Sequence, residues 1–124
     1  VTEGVTCLAA GSQVLGEVNV SEGAGLIATA AVVQGPVSAI GASTVELVFS
    51  QLTGPVLVTG ADQVSLFGSQ VTGSVTLLGN RTDTTVAGNT IIGSLSCFGN
   101  EPPPTDHGLP NTATGGKLGQ CATL

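Results

Sequence analysis

Glycine recurs at Gly16, Gly35, Gly54, Gly73 and Gly93, at intervals of 19, 19, 19 and 20 residues. A second set, Gly41, Gly60, Gly79 and Gly99, follows six residues after its partners. Only the first repeat breaks that rule, with Glu22 in the slot and Gly23 beside it. A fixed period of this length marks a solenoid, in which each repeat is one coil stacked on the next. The aliphatic residues keep the same period. Two residues before each glycine stand Val14, Val33, Leu52, Val71 and Ile91. Two after it stand Val18, Val37, Val56, Val75 and Leu95, and four after it Val20, Ala39, Val58, Leu77 and Cys97. Further along, Leu26, Val45 and Val64 form one set and Ala28, Leu47, Leu66 and Val86 another, once an extra residue between Asn80 and Thr84 is allowed for.

These slots alternate with small or polar residues, the pattern of half-buried strands, and their β-branched bias favours strands over helices. Each coil therefore divides into short strands, with glycine at the bends because it takes positive φ. Like residues stack into interior columns on rungs ~4.8 Å apart. The aliphatic anchors are unevenly spaced, unlike the hexapeptide rhythm of left-handed β-helices. The expected fold is all-β: a right-handed parallel β-helix of about 19 residues per coil.

Residues 1–100 read as coils and residues 101–124 as a C-terminal cap. Val1 aligns in mid-coil, and Glu3-Gly4 mirrors Glu22-Gly23. Cys7 and Ala9 then fall in the columns of Leu26 and Ala28. A start in mid-coil leaves an open strand edge, a template for another chain. After Asn100 the run Pro102-Pro103-Pro104 is expected to end the ladder, because proline donates no hydrogen bond.

Composition narrows the function. The chain has 8 acidic and 2 basic residues, Arg81 and Lys117, for a net charge of −6. A nucleic-acid binder needs a basic stripe, and an anionic membrane surface would repel this chain. No apolar run approaches the roughly 18 residues of a membrane span. Trp and Tyr are absent, and Phe49, Phe67 and Phe98 are the only aromatic residues. A sugar-binding platform would thus lack its usual stacking rings. The carboxylates Glu3, Glu17, Glu22, Glu46, Asp62, Asp83, Glu101 and Asp106 fall at different coil positions, so no acidic pair is forced. His107 is the only histidine; beside Asp106 it is half of a dyad, which we read as polar loop. A metal site needs three or four converging ligands, which the spacing does not offer. The expectation is no enzyme, no metal and no cofactor. Gly79-Asn80, Gly88-Asn89 and Gly99-Asn100 read as turns. Asn19-Val20-Ser21 and Asn80-Arg81-Thr82 match the glycosylation sequon, with Asn19 outward and Asn80 in a loop.

Three cysteines allow one pair and a leftover. Cys7 lies nearly five layers from Cys97, over ~20 Å at the rung spacing and beyond the reach of a bridge. A Cys97–Cys121 bridge would staple the cap; the alternative is three inert core thiols. Cys7 is either a buried free thiol or the partner of an upstream or intermolecular cysteine. A disulfide would imply an oxidising compartment.

Outward positions hold Leu15, Ile40, Leu78, Ile92 and Phe98, with Ile27, Val48, Leu57 and Phe67 in the same phase. Exposed aliphatic surface with few charges marks an interaction site, and the first five are the candidate interface. Gln51 and Gln70 are placed to stack along the axis.

The ending GSLSCFGNEPPPTDHGLPNTATGGKLGQC resembles that of a family of small secreted actinobacterial proteins with G-x-V-x-V repeats. The matching positions are Gly93, Leu95, Cys97, Gly99, Asn100, Pro102, Pro104, Thr105, Pro110, Asn111, Thr112, Gly115, Gly119, Gln120 and Cys121, while Ser94 stands where the family often has Asn. Glu3-Gly4-Val5-Thr6-Cys7 resembles that family's first coil, where a further cysteine lies upstream. The resemblance implies secretion, a β-helix and a Cys97–Cys121 disulfide, and supplies no activity. The repeat is more loosely similar to bactofilins, which form polymers but lack the cysteine cap and are cytoplasmic. The resulting expectation is a secreted, extracellular structural protein that assembles with itself as an oligomer or filament. Behind it stand a module binding a surface, a glycan or ice, and then an enzyme acting on polysaccharide.

Overall fold

The computed structural model describes residues 5–8, 10–81, 83–101, 104–106 and 108–122. The first coil comprises β1 (Val5–Leu8), β2 (Gln13–Leu15) and β3 (Val18–Val20). The second holds β4 (Gly25–Thr29), β5 (Val32–Gln34) and β6 (Val37–Ile40), and the third β7 (Thr44–Val48), β8 (Gln51–Thr53) and β9 (Val56–Thr59). The fourth holds β10 (Gln63–Phe67), β11 (Gln70–Thr72) and β12 (Val75–Leu78), and the fifth β13 (Asp83–Ala87), β14 (Thr90–Ile92) and β15 (Leu95–Phe98). A looser sixth turn contributes β16 (Thr112–Ala113) and β17 (Lys117–Gly119).

All strand pairs are parallel and join each strand to its counterpart one coil away. Sheet 1 runs β1-β4-β7-β10-β13, sheet 2 β2-β5-β8-β11-β14-β16, and sheet 3 β3-β6-β9-β12-β15-β17. The chain is thus a three-walled β-solenoid of parallel coils, as the glycine period implies. The inward columns are those of the repeat: Val33, Leu52, Val71 and Ile91 on sheet 2, and Val37, Val56, Val75 and Leu95 on sheet 3, all at most 2% exposed.

The bends stack as the strands do. Gly16, Gly35, Gly54, Gly73 and Gly93 turn from sheet 2 to sheet 3 with φ of 124°, 155°, 139°, 142° and 148°. A Cβ on Gly54 would lie 2.7 Å from the carbonyl carbon of Gly35 and 2.9 Å from the nitrogen of Pro36. Backbone rests on backbone here, which leaves no room for a side chain. The bend from sheet 1 to sheet 2 is different. Gly68 and Gly88 have counterparts in Ala30 and Phe49, both held at positive φ of 52° and 49°. The Phe49 ring lies over Gly68, where a Cβ would meet it at 2.5 Å, and stands edge-on to Phe67 with centroids 5.4 Å apart.

Two of the bends carry buried amide ladders. Asn80, Asn89, Asn100 and Asn111 are at most 4% exposed. Asn80, Asn89 and Asn100 are turn residues, as expected, but their side chains, like that of Asn111, point along the axis. Asn80 Nδ2 donates to Asn100 Oδ1 (2.9 Å), and Asn100 Nδ2 to Gln120 Oε1 (3.0 Å). Asn80 Oδ1 in turn accepts from the backbone N–H of Ala61 (2.9 Å). At the other bend Asn89 Nδ2 donates to Asn111 Oδ1 (2.9 Å), and Asn89 Oδ1 accepts from the backbone of Ser69 (2.9 Å). An unpaired buried amide costs about 1–3 kcal/mol, and the stack supplies partners above and below. Burial of Asn80 corrects one expectation: it is no loop acceptor for a glycan, because the folded stack encloses it. Asn19 is exposed, as expected.

Three further readings are corrected or displaced. Cys7 pairs with Ile27, while Thr6 and Leu8 pair with Leu26 and Ala28. Between paired positions the first coil takes one residue more, from Leu8 to Gln13, than the second takes from Ala28 to Val32, which shifts Cys7 to the outside, where its free thiol is exposed. Val1, Glu3, Gly4 and Ala9 lie outside the described residues. The regular ladder of sheet 1 ends at β13, before the prolines, of which Pro102 and Pro103 lie outside the described residues, but isolated bridges flank them. Glu101 and Thr105, on either side of them, donate to the carbonyls of Asn80 and Thr84 at 3.0 Å, and Pro104 is buried between. Glu101 and residues 104–106 and 108–122 lie over the last regular coil and keep partial rung pairing with it. Cys97 and Cys121 form a disulfide, fully buried, with Cα atoms 5.3 Å apart.

One inward slot is mismatched. Thr84 sits opposite Val64, 2% exposed, and its hydroxyl has no hydrogen-bond partner. Thr84→Val should therefore raise stability by about 1 kcal/mol, read as a higher midpoint in urea unfolding. Gly54→Ala should do the reverse, losing at least about 1–3 kcal/mol from backbone conformation alone, with the clash in addition. An unchanged midpoint for Gly54→Ala would show that the bends can part to admit a methyl group.

Candidate functional site: the outward walls

Strand parity decides what the walls present. On sheet 2 each three-residue strand points its middle residue inward and its two ends outward. The outward pairs are Gln13 and Leu15, Val32 and Gln34, Gln51 and Thr53, Gln70 and Thr72, and Thr90 and Ile92. Gln51 and Gln70 lie opposite each other on adjacent rungs, both exposed. Sheet 3 presents Ser38 and Ile40, Leu57 and Thr59, Thr76 and Leu78, Ser96 and Phe98, and finally Leu118. Neither set contains a charge.

The charges gather elsewhere. Glu46 and Asp83 lie on sheet 1, and Glu22, Asp62, Arg81 and Glu101 along the bend that leads into it from sheet 3, while Glu17 is exposed on the bend from sheet 2 to sheet 3 and accepts from Asn19 Nδ2 (2.9 Å). Arg81 and Asp62 approach to 3.4 Å with side chains 69% and 57% exposed. Such a pair is well solvated and contributes little to stability. Asp106 accepts from the backbone N–H of Gly108 (3.0 Å), a local turn contact. His107, the other half of the dyad, lies outside the described residues. Among the described residues no three of His, Cys, Asp and Glu converge on one point.

The candidate interface residues divide between two walls. Ile40, Leu78 and Phe98 share one column of sheet 3, with Leu78 directly opposite Phe98 and Thr59 between Leu78 and Ile40. Leu15 and Ile92 stand at the two ends of a sheet 2 column, separated by Gln34, Thr53 and Thr72. Ile40 and Phe98 are 61% and 50% exposed, and Leu15 and Ile92 76% and 57%. Leu78 is half-buried, as are Ile27, Val48, Leu57 and Phe67, because neighbouring rungs shield them. The repeat pattern did not point to Phe49, Leu109 or Leu118, which are also exposed. Leu118 pairs with Ser96 beside Phe98 and so extends the sheet 3 set. It lies past the last periodic coil, so only its alternation with Lys117 and Gly119 could have marked it. At the top of sheet 3 an open hollow of about 580 Å³ lies among Asn19, Ser38, Ile40, Thr59 and the Glu22 carboxylate.

No protein-family model, curated protein or solved structure matches the chain. Among the described residues no helix is long and apolar enough to cross a membrane.

The two cysteine environments can be told apart chemically. In folded, unreduced protein an aqueous thiol reagent should label one cysteine per chain, Cys7, because Cys97 and Cys121 are bridged and enclosed. Peptide mapping that finds label on Cys97 or Cys121 would contradict the bridge.

Proposed function

We propose that this chain is a secreted structural protein that associates with copies of itself through the outward wall of sheet 3. One observation carries the reading: the segregation of charge. From Ser38 to Leu118 that wall carries Ile40, Leu57, Leu78, Phe98 and Leu118 among hydroxyl groups and no ionised side chain. Glu46 and Asp83 lie on sheet 1, Glu22, Asp62 and Glu101 on the bend from sheet 3 into it, and Glu17 on the bend from sheet 2, so these acids border the sheet 3 wall and none stands on it. A charge-poor apolar surface with a polar rim is what self-associating proteins present. The wall measures about six rungs by about four residues, or a few hundred Å² per partner, which is small beside the ~800 Å² of a standard interface. The contact therefore belongs to the weak, reversible class, and sheet 2, with Leu15 and Ile92, offers a second wall on which a lateral array can build.

The buried disulfide fits an oxidising compartment, and the likeness of the ending to small secreted proteins agrees with export. A second reading rests on sheet 2. Gln34, Thr53, Thr72, Thr90 and Thr112 are exposed amides and hydroxyls on rungs of one spacing, a flat neutral surface suited to a neutral glycan or another ordered solid.

Analytical ultracentrifugation separates these readings. The wild-type chain should sediment as a concentration-dependent equilibrium of monomer and larger species. Ile40→Lys with Phe98→Lys, both at exposed positions, should weaken association at least about tenfold by placing like charges at the contact. A wild-type chain that remains monomeric up to its solubility limit would remove the structural reading. Retention on an insoluble neutral polysaccharide, lost in Thr53→Lys with Thr72→Lys, would favour the second.

A further inference from the structure

We infer that the C-terminal end of the solenoid is built to refuse another coil, so that copies of this chain do not join end to end through it. The inference stands apart from the sheet 3 contact. A stack of parallel coils ends in open strand edges, and an open edge is a template for further pairing. To continue, the stack needs three things at its last turn: an apolar residue in each inward column, amides that pass the ladders on, and strands long enough to pair. In the described part of residues 101–122 the sheet 3 columns, the Asn80–Asn100 ladder and the strand lengths all fail this requirement, while Ala113 carries on the sheet 2 column and Asn111 the second ladder.

The inward column Val37, Val56, Val75 and Leu95 ends on Lys117. The Lys117 stem is half-buried under the core, and its Nζ donates to the carbonyl of Asn111 at 3.0 Å. A seventh coil would enclose that ammonium against aliphatic side chains, where an ion is costly. The neighbouring column Val58, Leu77 and Cys97 ends on Gly119, at φ 65°, with no side chain to carry it further.

The amide ladder closes in the same turn. Asn80 and Asn100 each donate Nδ2 forward to the next amide and back to a core carbonyl, that of Val58 or Leu77. Gln120 is one methylene longer. Its Oε1 accepts from both the backbone N–H and Nδ2 of Asn100, at 2.8 and 3.0 Å, and its Nε2 folds back to the carbonyl of Asn100 at 2.8 Å. The added reach turns the amide toward the coil it covers. The strands are also curtailed. β16 has two residues and β17 three, and among the described residues sheet 1 receives only the Thr105 bridge, next to the buried Pro104. Short edges, an inward lysine and proline are the devices by which sheet proteins blunt their edges.

The test is a gain of association. Lys117→Val with Gln120→Asn restores the aliphatic slot and the forward-pointing amide. It is made in the Ile40→Lys, Phe98→Lys background, which removes the sheet 3 contact, and in the otherwise wild-type chain. In both, axial association should strengthen at least about tenfold over the parent, seen by sedimentation and as rods longer than one molecule in electron micrographs. A folded variant, by circular dichroism, that associates no more than its parent overturns the inference. So do axial fibres of the wild-type chain. Should the double variant not fold, Lys117→Met alone keeps the stem and removes the charge. The same lengthening is expected, and its absence in a folded Lys117→Met chain is equally decisive. Failure of the lateral reading would appear differently, as a wild-type monomer that still lengthens when Lys117 is replaced.

Discussion

Each interior side chain meets its own counterpart one rung away, and this constraint governs everything else in the molecule. In a helix bundle or sandwich a core residue meets neighbours from unrelated parts of the chain. Here the parallel register sets Val56 between Val37 and Val75, and Leu77 between Val58 and Cys97. An aliphatic column satisfies the rule without direction, because any apolar group packs on any other of similar size. A polar column must satisfy it with direction. Asn100 is tolerated in the interior because Asn80 above donates to it and Gln120 below accepts from it. Where the column holds Ala42 and Ala61, nothing polar needs a partner, and the ladder begins on the backbone N–H of Ala61.

The same rule makes cohesion uneven along the axis. The later coils are tied by amide ladders at two bends and by the Cys97–Cys121 bridge, which closes a loop of 24 residues and contributes ~3 kcal/mol in the chain-entropy account. In the middle of the stack, Ser50 and Ser69 occupy the corresponding bend. Their hydroxyls accept from the backbone of Ala31 and Ser50 at 3.3 and 3.2 Å and donate to core carbonyls. A hydroxyl reaches fewer partners than a carboxamide. The later coils are therefore the stiffer part and local opening belongs to the earlier ones, since opening free energy follows how much each unit is tied to its neighbours.

Much of the fold was legible because solenoid periodicity places the same demand on each coil. The column of Gly16 to Gly93 is readable since every member holds positive φ and each from Gly35 on also faces the backbone of the coil before it. The bend from sheet 1 to sheet 2 was opaque for the opposite reason. Ala30 and Phe49 adopt the same backbone as Gly68 and Gly88 under weaker steric pressure, so the residue type varies while the shape does not. The amide ladders were half legible: Gly-Asn marks a turn, but nothing local says whether the side chain points to solvent or along the axis. Cys7 was misplaced by one residue because a single insertion in the turn after β1 reverses every outward and inward assignment before it. The division of the candidate interface between two walls could not be read from phase alone. Phase tells outside from inside but not which of three walls is meant.

Charge and shape then bear on one another. Carboxylates are tolerated along sheet 1 and its leading bend because those positions remain solvated, and Arg81 beside Asp62 offsets only one of them. Had the acids been spread over all three walls, every lateral approach of two copies would meet repulsion at short range. Keeping them off the strands of sheets 2 and 3 leaves two walls without acidic side chains, on which Ile40 and Phe98, or Leu15 and Ile92, stand among uncharged outward residues. The cap completes that logic. A stack that could add coils at its last rung would use its strongest adhesive, the backbone ladder, and grow without a natural length. With Lys117 across one inward column and the Gln120 amide turned back on its own coil, that adhesive stays within the molecule. What the proposed lateral contact would use are the outward walls, and an association built on their apolar patches would be weak and reversible.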